Sequence, residues 1–191
     1  IDNEASINLK LIIKYIEGII NKNLHYEESL LLIKHDIEHR RFANAENKVY
    51  DYLQKNIPIT NLRNLHLWLL NTLGKYLYII KNESQYYKDD IKDDIKDVIF
   101  CYFEFARAYY SAGKWNETRE YIDRIDKKLW HEQIYILSAK SYHKLKQDDK
   151  SQQELLDCLN IHTSCVDALE MIGTLTSKND PKKATEYFQK I

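Results

Sequence analysis

The chain has 191 residues, with 28 Lys and Arg against 29 Asp and Glu, for a formal net charge of −1. Two Pro and four Gly cannot supply the turns of a many-stranded sandwich or barrel. The 44% apolar content excludes a disordered chain, and no apolar run nears the roughly 20 residues that cross a bilayer.

The balanced charge provides no basic field for nucleic acid or for an anionic membrane. Cys101, Cys158 and Cys165 are scattered and show no CxxC spacing. That argues against a disulfide framework or a zinc ribbon and for a reducing, intracellular compartment, cytoplasmic or nuclear. The first residue is Ile1 and the last helical pattern stops early. The sequence is therefore expected to begin and end inside a longer protein.

Helical periodicity runs through the chain. Segment 7–20 places Ile7, Leu9, Leu11, Ile12, Ile16, Ile19 and Ile20 near helical spacing. Segment 28–40 has Leu30, Ile33 and Ile37 at spacings of three and four. Segment 42–55 follows with Phe42, Ala45, Val49, Tyr52 and Leu53, and Pro58 breaks the pattern. Segment 61–81 reads as one long helix through Leu62, Leu65, Leu69, Leu73, Leu77 and Ile80. Segment 84–97 holds KDDI twice in tandem, Lys88 to Ile91 and Lys92 to Ile95, and reads as a solvated face or loop. Six helices are then predicted, at about 98–112, 115–126, 130–146, 148–160, 163–178 and 181–191. Gly113 suits a left-handed position after a helix, and Asp180-Pro181 suits an N-cap with Pro at the first helical position.

These short-turn helix pairs repeat. Tyr102 matches Tyr135, Ala106 matches Ala139 and Tyr109 matches Tyr142, each 33 residues apart. Ile122 and Leu155, and Ile125 and Cys158, match at the same offset. Counting from Ile99, Tyr102, Ala106, Tyr109, Gly113, Trp115 and Ile122 fall on the large, small, aromatic, Gly, aromatic and apolar positions of the tetratricopeptide repeat, which this segment resembles. The next repeat keeps Tyr135, Ala139, Tyr142, Ser151 and Leu155 but has Lys146 and Asp148 in place of Gly and the aromatic. An earlier repeat from Tyr26 keeps Phe42, Ala45 and Val49, and a last one has Pro181, Ala184 and Phe188. Segment 61–97 is too degenerate to align.

The resemblance implies an all-α fold, a right-handed superhelical solenoid of antiparallel helix pairs. The expected organisation is an N-terminal helix over 1–25, degenerate helical repeats over 26–97 and tetratricopeptide-like repeats over 98–191, the last one truncated.

The chemistry-bearing strings are few. His35-Asp36-Ile37-Glu38-His39 fits H-x-x-E-H, in which two His one helical turn apart bind zinc and a Glu acts as base. A zinc hydrolase through His35, Glu38 and His39 is the remote alternative; exposed helix polar residues are the plainer reading. Cys101 precedes Tyr102 and reads as a packing residue. Trp115 falls where the repeat takes an aromatic. Trp68 and Trp130 read as packing residues and as candidate partner contacts.

Tetratricopeptide proteins bind peptides or partner subunits. In the co-chaperone members, Lys and Asn on the first helices clamp a C-terminal carboxylate. The corresponding positions here hold Leu30, Lys34, Phe100 and Glu104, so that clamp is absent in this frame. The order of irregular helices followed by Tyr-rich repeats is similar to the N-terminal region of tetratricopeptide subunits of the anaphase-promoting complex, a ubiquitin ligase of the cell cycle. The resemblance implies a non-catalytic scaffold, a homodimer or a member of a multisubunit complex. It implies no cofactor, metal or small-molecule substrate, and no nucleic acid or membrane partner. A peptide-binding adaptor or co-chaperone is the alternative.

Overall fold

A computed structural model describes residues 2–57, 61–86 and 95–191, with the side chains of 2–8 left aside. Pro58 and most of the KDDI tandem, residues 87–94, lie outside the described residues. All regular structure among the described residues is helical. The helices are α1 (Asp2–Lys22), α2 (Glu27–Glu38), α3 (Phe42–Gln54), α4 (Leu62–Thr72), α5 (Tyr76–Lys81), α6 (Glu83–Tyr86), α7 (Ile95–Ser111), α8 (Trp115–Asp123), α9 (Glu132–Lys144), α10 (Asp148–Ile161), α11 (Val166–Ser177) and α12 (Pro181–Phe188). None of the described helices is long and apolar enough to cross a membrane.

The chain forms two compact units, Ile1–Glu104 and Phe105–Ile191, with the division inside α7. In the first unit α1 packs on α2, α2 on α3, α3 on α4 and α4 on α5. Ile12, Ile16 and Ile19 of α1, Leu30, Ile33 and Ile37 of α2, Ala45 and Val49 of α3, and Leu62, Leu65 and Leu69 of α4 form its core. Each fully buried Leu or Ile contributes on the order of 1.5–3 kcal/mol. The ring of Phe42 meets Trp68 edge-on at 5.7 Å. Polar ties complete the packing. The Tyr15 hydroxyl donates to Asp97 Oδ1 at 3.1 Å, Asn61 Nδ2 donates to Asp97 Oδ2 at 2.9 Å, and Asn64 Nδ2 donates to the Asp97 carbonyl at 2.9 Å. These bonds fasten the start of α7 to α1 and α4.

In the second unit each helix again packs on its sequence neighbour, α8 on α9, α9 on α10, α10 on α11 and α11 on α12. Tyr121 of α8 stacks on Phe105 and Tyr109 of α7 at 5.1 and 5.4 Å. Arg119 of α8 is buried, bonded to Ser138 of α9 and to Asp123, with its guanidinium 4.1 Å from the ring centre of Tyr142. The Asp180 side chain accepts from the Lys183 backbone N–H at 3.0 Å and Pro181 opens α12, as the sequence suggests.

One turn recurs in both units. After α7, Gly113 takes a left-handed backbone (φ 75°), the Gly113 N–H donates to Tyr110 O, and the Lys114 N–H reaches back to Tyr109 O. This is the Schellman closure of a helix C-terminus. The same pair of bonds closes α2 at Arg40 (φ 55°), α4 at Gly74 (φ 71°) and α9 at Lys146 (φ 62°). Lys146 thus supplies the conformation that Gly113 supplies one repeat earlier. The single helix expected over 61–81 is corrected to two, because Gly74 ends α4 and Tyr76 starts α5. The break rotates the pattern, and Leu77, expected on the apolar stripe, is 65% exposed.

A Cβ at Gly113 would meet nothing within 4 Å, so any strain there is purely backbone. Gly113→Ala is expected to destabilise by roughly 1–2 kcal/mol, the steric cost of the left-handed region for an L-residue. Lys146→Gly is expected to stabilise by about 0.5–1 kcal/mol by removing that same strain, less the added freedom of the unfolded chain. Urea midpoints measure both; a destabilised Lys146→Gly contradicts the assignment.

Candidate functional site

The most constrained polar cluster of the first unit lies where α3, α4 and the α5–α6 segment meet. On α3, Glu46, Tyr50, Leu53 and Gln54 share one helical face. On α4, Arg63 and His66 share another, while Leu62, Leu65 and Leu69 turn into the core. Lys75 precedes α5, Tyr78 lies on α5, and Gln85 and Tyr86 lie on α6.

His66 is 1% exposed and both ring nitrogens are engaged. Glu46 Oε1 lies 3.0 Å from Nε2 and the Tyr86 hydroxyl 2.9 Å from Nδ1. Lys75 Nζ donates to the other Glu46 oxygen at 2.9 Å. A carboxylate only accepts, so Nε2 carries the imidazole proton, and the neutral ring then accepts from the Tyr86 O–H at Nδ1. Burial holds His66 below the ordinary histidine range, against the pull of Glu46. Burial works against the charge on Glu46 as well, but hydrogen bonds from Lys75 and His66 outweigh it and keep its carboxyl below the usual range. Burial raises the Tyr86 phenol. The chain Lys75–Glu46–His66–Tyr86 is a charge-compensated relay that fixes three helices and the turn before α5.

Above it opens a cleft of about 130 Å³ lined by Tyr50, Leu53, Gln54, Arg63, His66, Tyr78, Gln85 and Tyr86. With both nitrogens of His66 committed inside the protein, the ring is a floor for the cleft and has no open nitrogen for proton transfer to a ligand. The donors facing inward are the Arg63 guanidinium and the phenols of Tyr50 and Tyr78.

The repeat residues read from the sequence fall as follows. Ala106, Tyr109, Tyr135 and Ala139 are buried, Tyr102, Trp115 and Tyr142 are half-buried, and Gly113 makes its turn. Trp68 and Trp130, named as candidate partner contacts, are 7% and 8% exposed. Trp130 Nε1 donates to Ile125 O at 2.9 Å and its ring meets Tyr135 edge-on. Both tryptophans are packing residues, with almost no surface to offer. His35, Glu38 and His39 are exposed at the end of α2. The two imidazoles lie 4.1 Å apart, His39 Nδ1 lies 2.8 Å from the His35 carbonyl, and Glu38 pairs with Lys34 at 3.6 Å. Among the described residues no three His, Cys, Asp or Glu side chains converge on a metal position. Cys101, Cys158 and Cys165 are free thiols.

Sequence reasoning missed the relay. Its members are each 20 residues apart on separate helices, so no local motif exists. The available signal was His66 itself, a titratable residue inside the apolar run Leu65-His66-Leu67-Trp68-Leu69-Leu70. No known family model, curated protein or solved structure matches the chain.

The depressed His66 value has a signed consequence. Below about pH 6.5 an unfolded histidine binds a proton that the folded one refuses, so stability falls as pH drops through that range. The depressed Glu46 value acts in the same direction at lower pH, where its contribution is lost as the carboxyl protonates. Between about pH 7.5 and 5.5 the urea midpoint of the native chain is expected to fall, and His66→Gln is expected to show a smaller fall. An equal fall in both contradicts the neutral, buried imidazole.

Proposed function

We propose that the chain is a tetratricopeptide-like scaffold that binds other proteins and carries no catalytic residue. The observation that supports this reading is the register of the second helices. Phe42 and Tyr76 start α3 and α5, 34 residues apart; Trp115, Asp148 and Pro181 start α8, α10 and α12, 33 residues apart. The fourth residue of each of these helices, Ala45, Ile79, Thr118, Ser151 and Ala184, is 0–2% exposed. A period of 33–34 residues with a buried, mostly small residue at one helix–helix crossing is what stacked helical pairs require. On this reading segment 61–86 is a repeat too, with Gly74 as its turn and Ile79 in the small position.

The finer reading is a right-handed solenoid, part of a homodimer or of a larger intracellular assembly of the anaphase-promoting type, cytoplasmic or nuclear. The supporting likeness is the order of degenerate helices followed by Tyr-rich repeats. The cleft on α3–α6 favours a second reading, a peptide-binding adaptor with a fixed pocket.

Purification of the full-length protein from its source cells, followed by light scattering, tests the scaffold. A stoichiometric set of subunits or a dimer is expected; a chain recovered alone and monomeric at about 100 µM contradicts it. The repeat register has its own test. Ser151 is buried with its hydroxyl donating to Ala139 O at 2.9 Å. Ser151→Leu is expected to destabilise by about 1–3 kcal/mol through overpacking between α9 and α10, read as a lowered urea midpoint. An unchanged midpoint contradicts a close crossing at that position.

A further inference from the structure

We propose that the cleft walled by Tyr50, Arg63 and Tyr78 is a binding site for a single carboxylate. The inference goes beyond the scaffold reading and does not depend on it.

Arg63 carries the argument. The other cations around buried acids of this unit are committed. Arg41 and Lys48 hold Asp36, and Lys75 holds Glu46. Arg63 is half-buried in the cleft, and no described carboxylate pairs with it. A guanidinium is always charged and presents a planar fork that matches a carboxylate. The phenol hydroxyls of Tyr50 and Tyr78 line the same cleft and make no hydrogen bond to any described residue. Burial raises the Tyr78 phenol, so it stays protonated and donates at neutral pH. One fixed cation and two neutral donors thus share one cleft.

Charge and size select the ligand. Arg63 and Lys75 are positive, Glu46 is negative and His66 is neutral, which leaves one net positive charge. A carboxylate neutralises it. A phosphate monoester, with about two charges, would leave an uncompensated negative charge beside Glu46. The volume of about 130 Å³ equals roughly four waters. That accommodates a carboxyl group with a short chain or a ring, laid against Leu53 and the tyrosine faces. The floor is pre-organised, because His66, Glu46, Tyr86 and Lys75 already hold one another and need no rearrangement when a ligand enters.

The carboxylate comes either from a free organic acid or from an acidic side chain of a protein segment, and titrations of the intact chain separate the two. Benzoate serves as the free acid and N-acetyl-glutamate amide as the side chain in a peptide setting. Benzamide serves as the neutral isostere and phenyl phosphate as the dianion. Binding is followed by NMR shifts of the Arg63 and Tyr50 signals. Saturable binding of at least one carboxylate is expected, with benzamide and phenyl phosphate weaker; the tighter carboxylate identifies the source. Arg63→Gln is expected to weaken binding about tenfold or more, and Tyr50→Phe or Tyr78→Phe a few-fold. Arg63 holds no structural ion pair, so Arg63→Gln should keep the native circular dichroism and urea midpoint. The proposal is overturned if no carboxylate saturates below about 10 mM, if phenyl phosphate binds more tightly than both, or if a folded Arg63→Gln variant binds unchanged.

Discussion

A helix that must reverse direction within three residues needs one residue with positive φ, and the helical hairpins of this protein depend on that requirement. At Arg40, Gly74, Gly113 and Lys146 the chain enters the left-handed region, and the following N–H reaches back five residues to a carbonyl of the helix just ended. The bond satisfies an end carbonyl that the helix leaves unpaired and fixes where the next helix begins, two residues later. Only Gly takes this conformation without steric cost. Its use of Arg and Lys at two of the four turns shows that closure and packing outweigh a strain of roughly 1–2 kcal/mol.

Once the turn is set, the fourth residue of the second helix is set with it. That position is buried in all five second helices, whether the residue is Ala, Ile, Thr or Ser. Where it is polar, the hydroxyl finds a carbonyl: Thr118 Oγ1 donates to Lys114 O and Ser151 Oγ to Ala139 O. The polar groups buried beside the turns are likewise paired. Lys75, which supplies the reaching N–H after α4, also holds Glu46 and through it His66 and Tyr86. The candidate site is therefore built on the same turn that builds the hairpin.

The helices were legible from periodicity because apolar positions at three and four report burial directly. The repeat was legible where its small and aromatic residues survive, in 99–160, and invisible in 61–86, where Ile79 replaces the small residue. Lys146 looked like a departure from Gly; backbone geometry, which side-chain chemistry does not reveal, makes it equivalent. Leu77 kept a helical spacing across Gly74 that the backbone does not keep. Trp68 and Trp130 could not be sorted between core and surface, since size and hydrophobicity suit both. The relay was out of reach because Glu46, His66 and Tyr86 come together only when α3, α4 and α6 pack, and no sequence spacing encodes that.

Amide hydrogen exchange at Arg41, Lys75, Lys114 and Gln147 tests the shared turn most directly. Each of these N–H groups lies just outside a helix and has its protein partner only if the left-handed turn forms. The account predicts that all four are slowed well below the rate of an unstructured chain, with Gln147 after Lys146 protected like Lys114 after Gly113. Exchange of Arg41 and Gln147 at the unstructured rate, with Lys75 and Lys114 protected, would confine the turn to glycine and contradict a common hairpin.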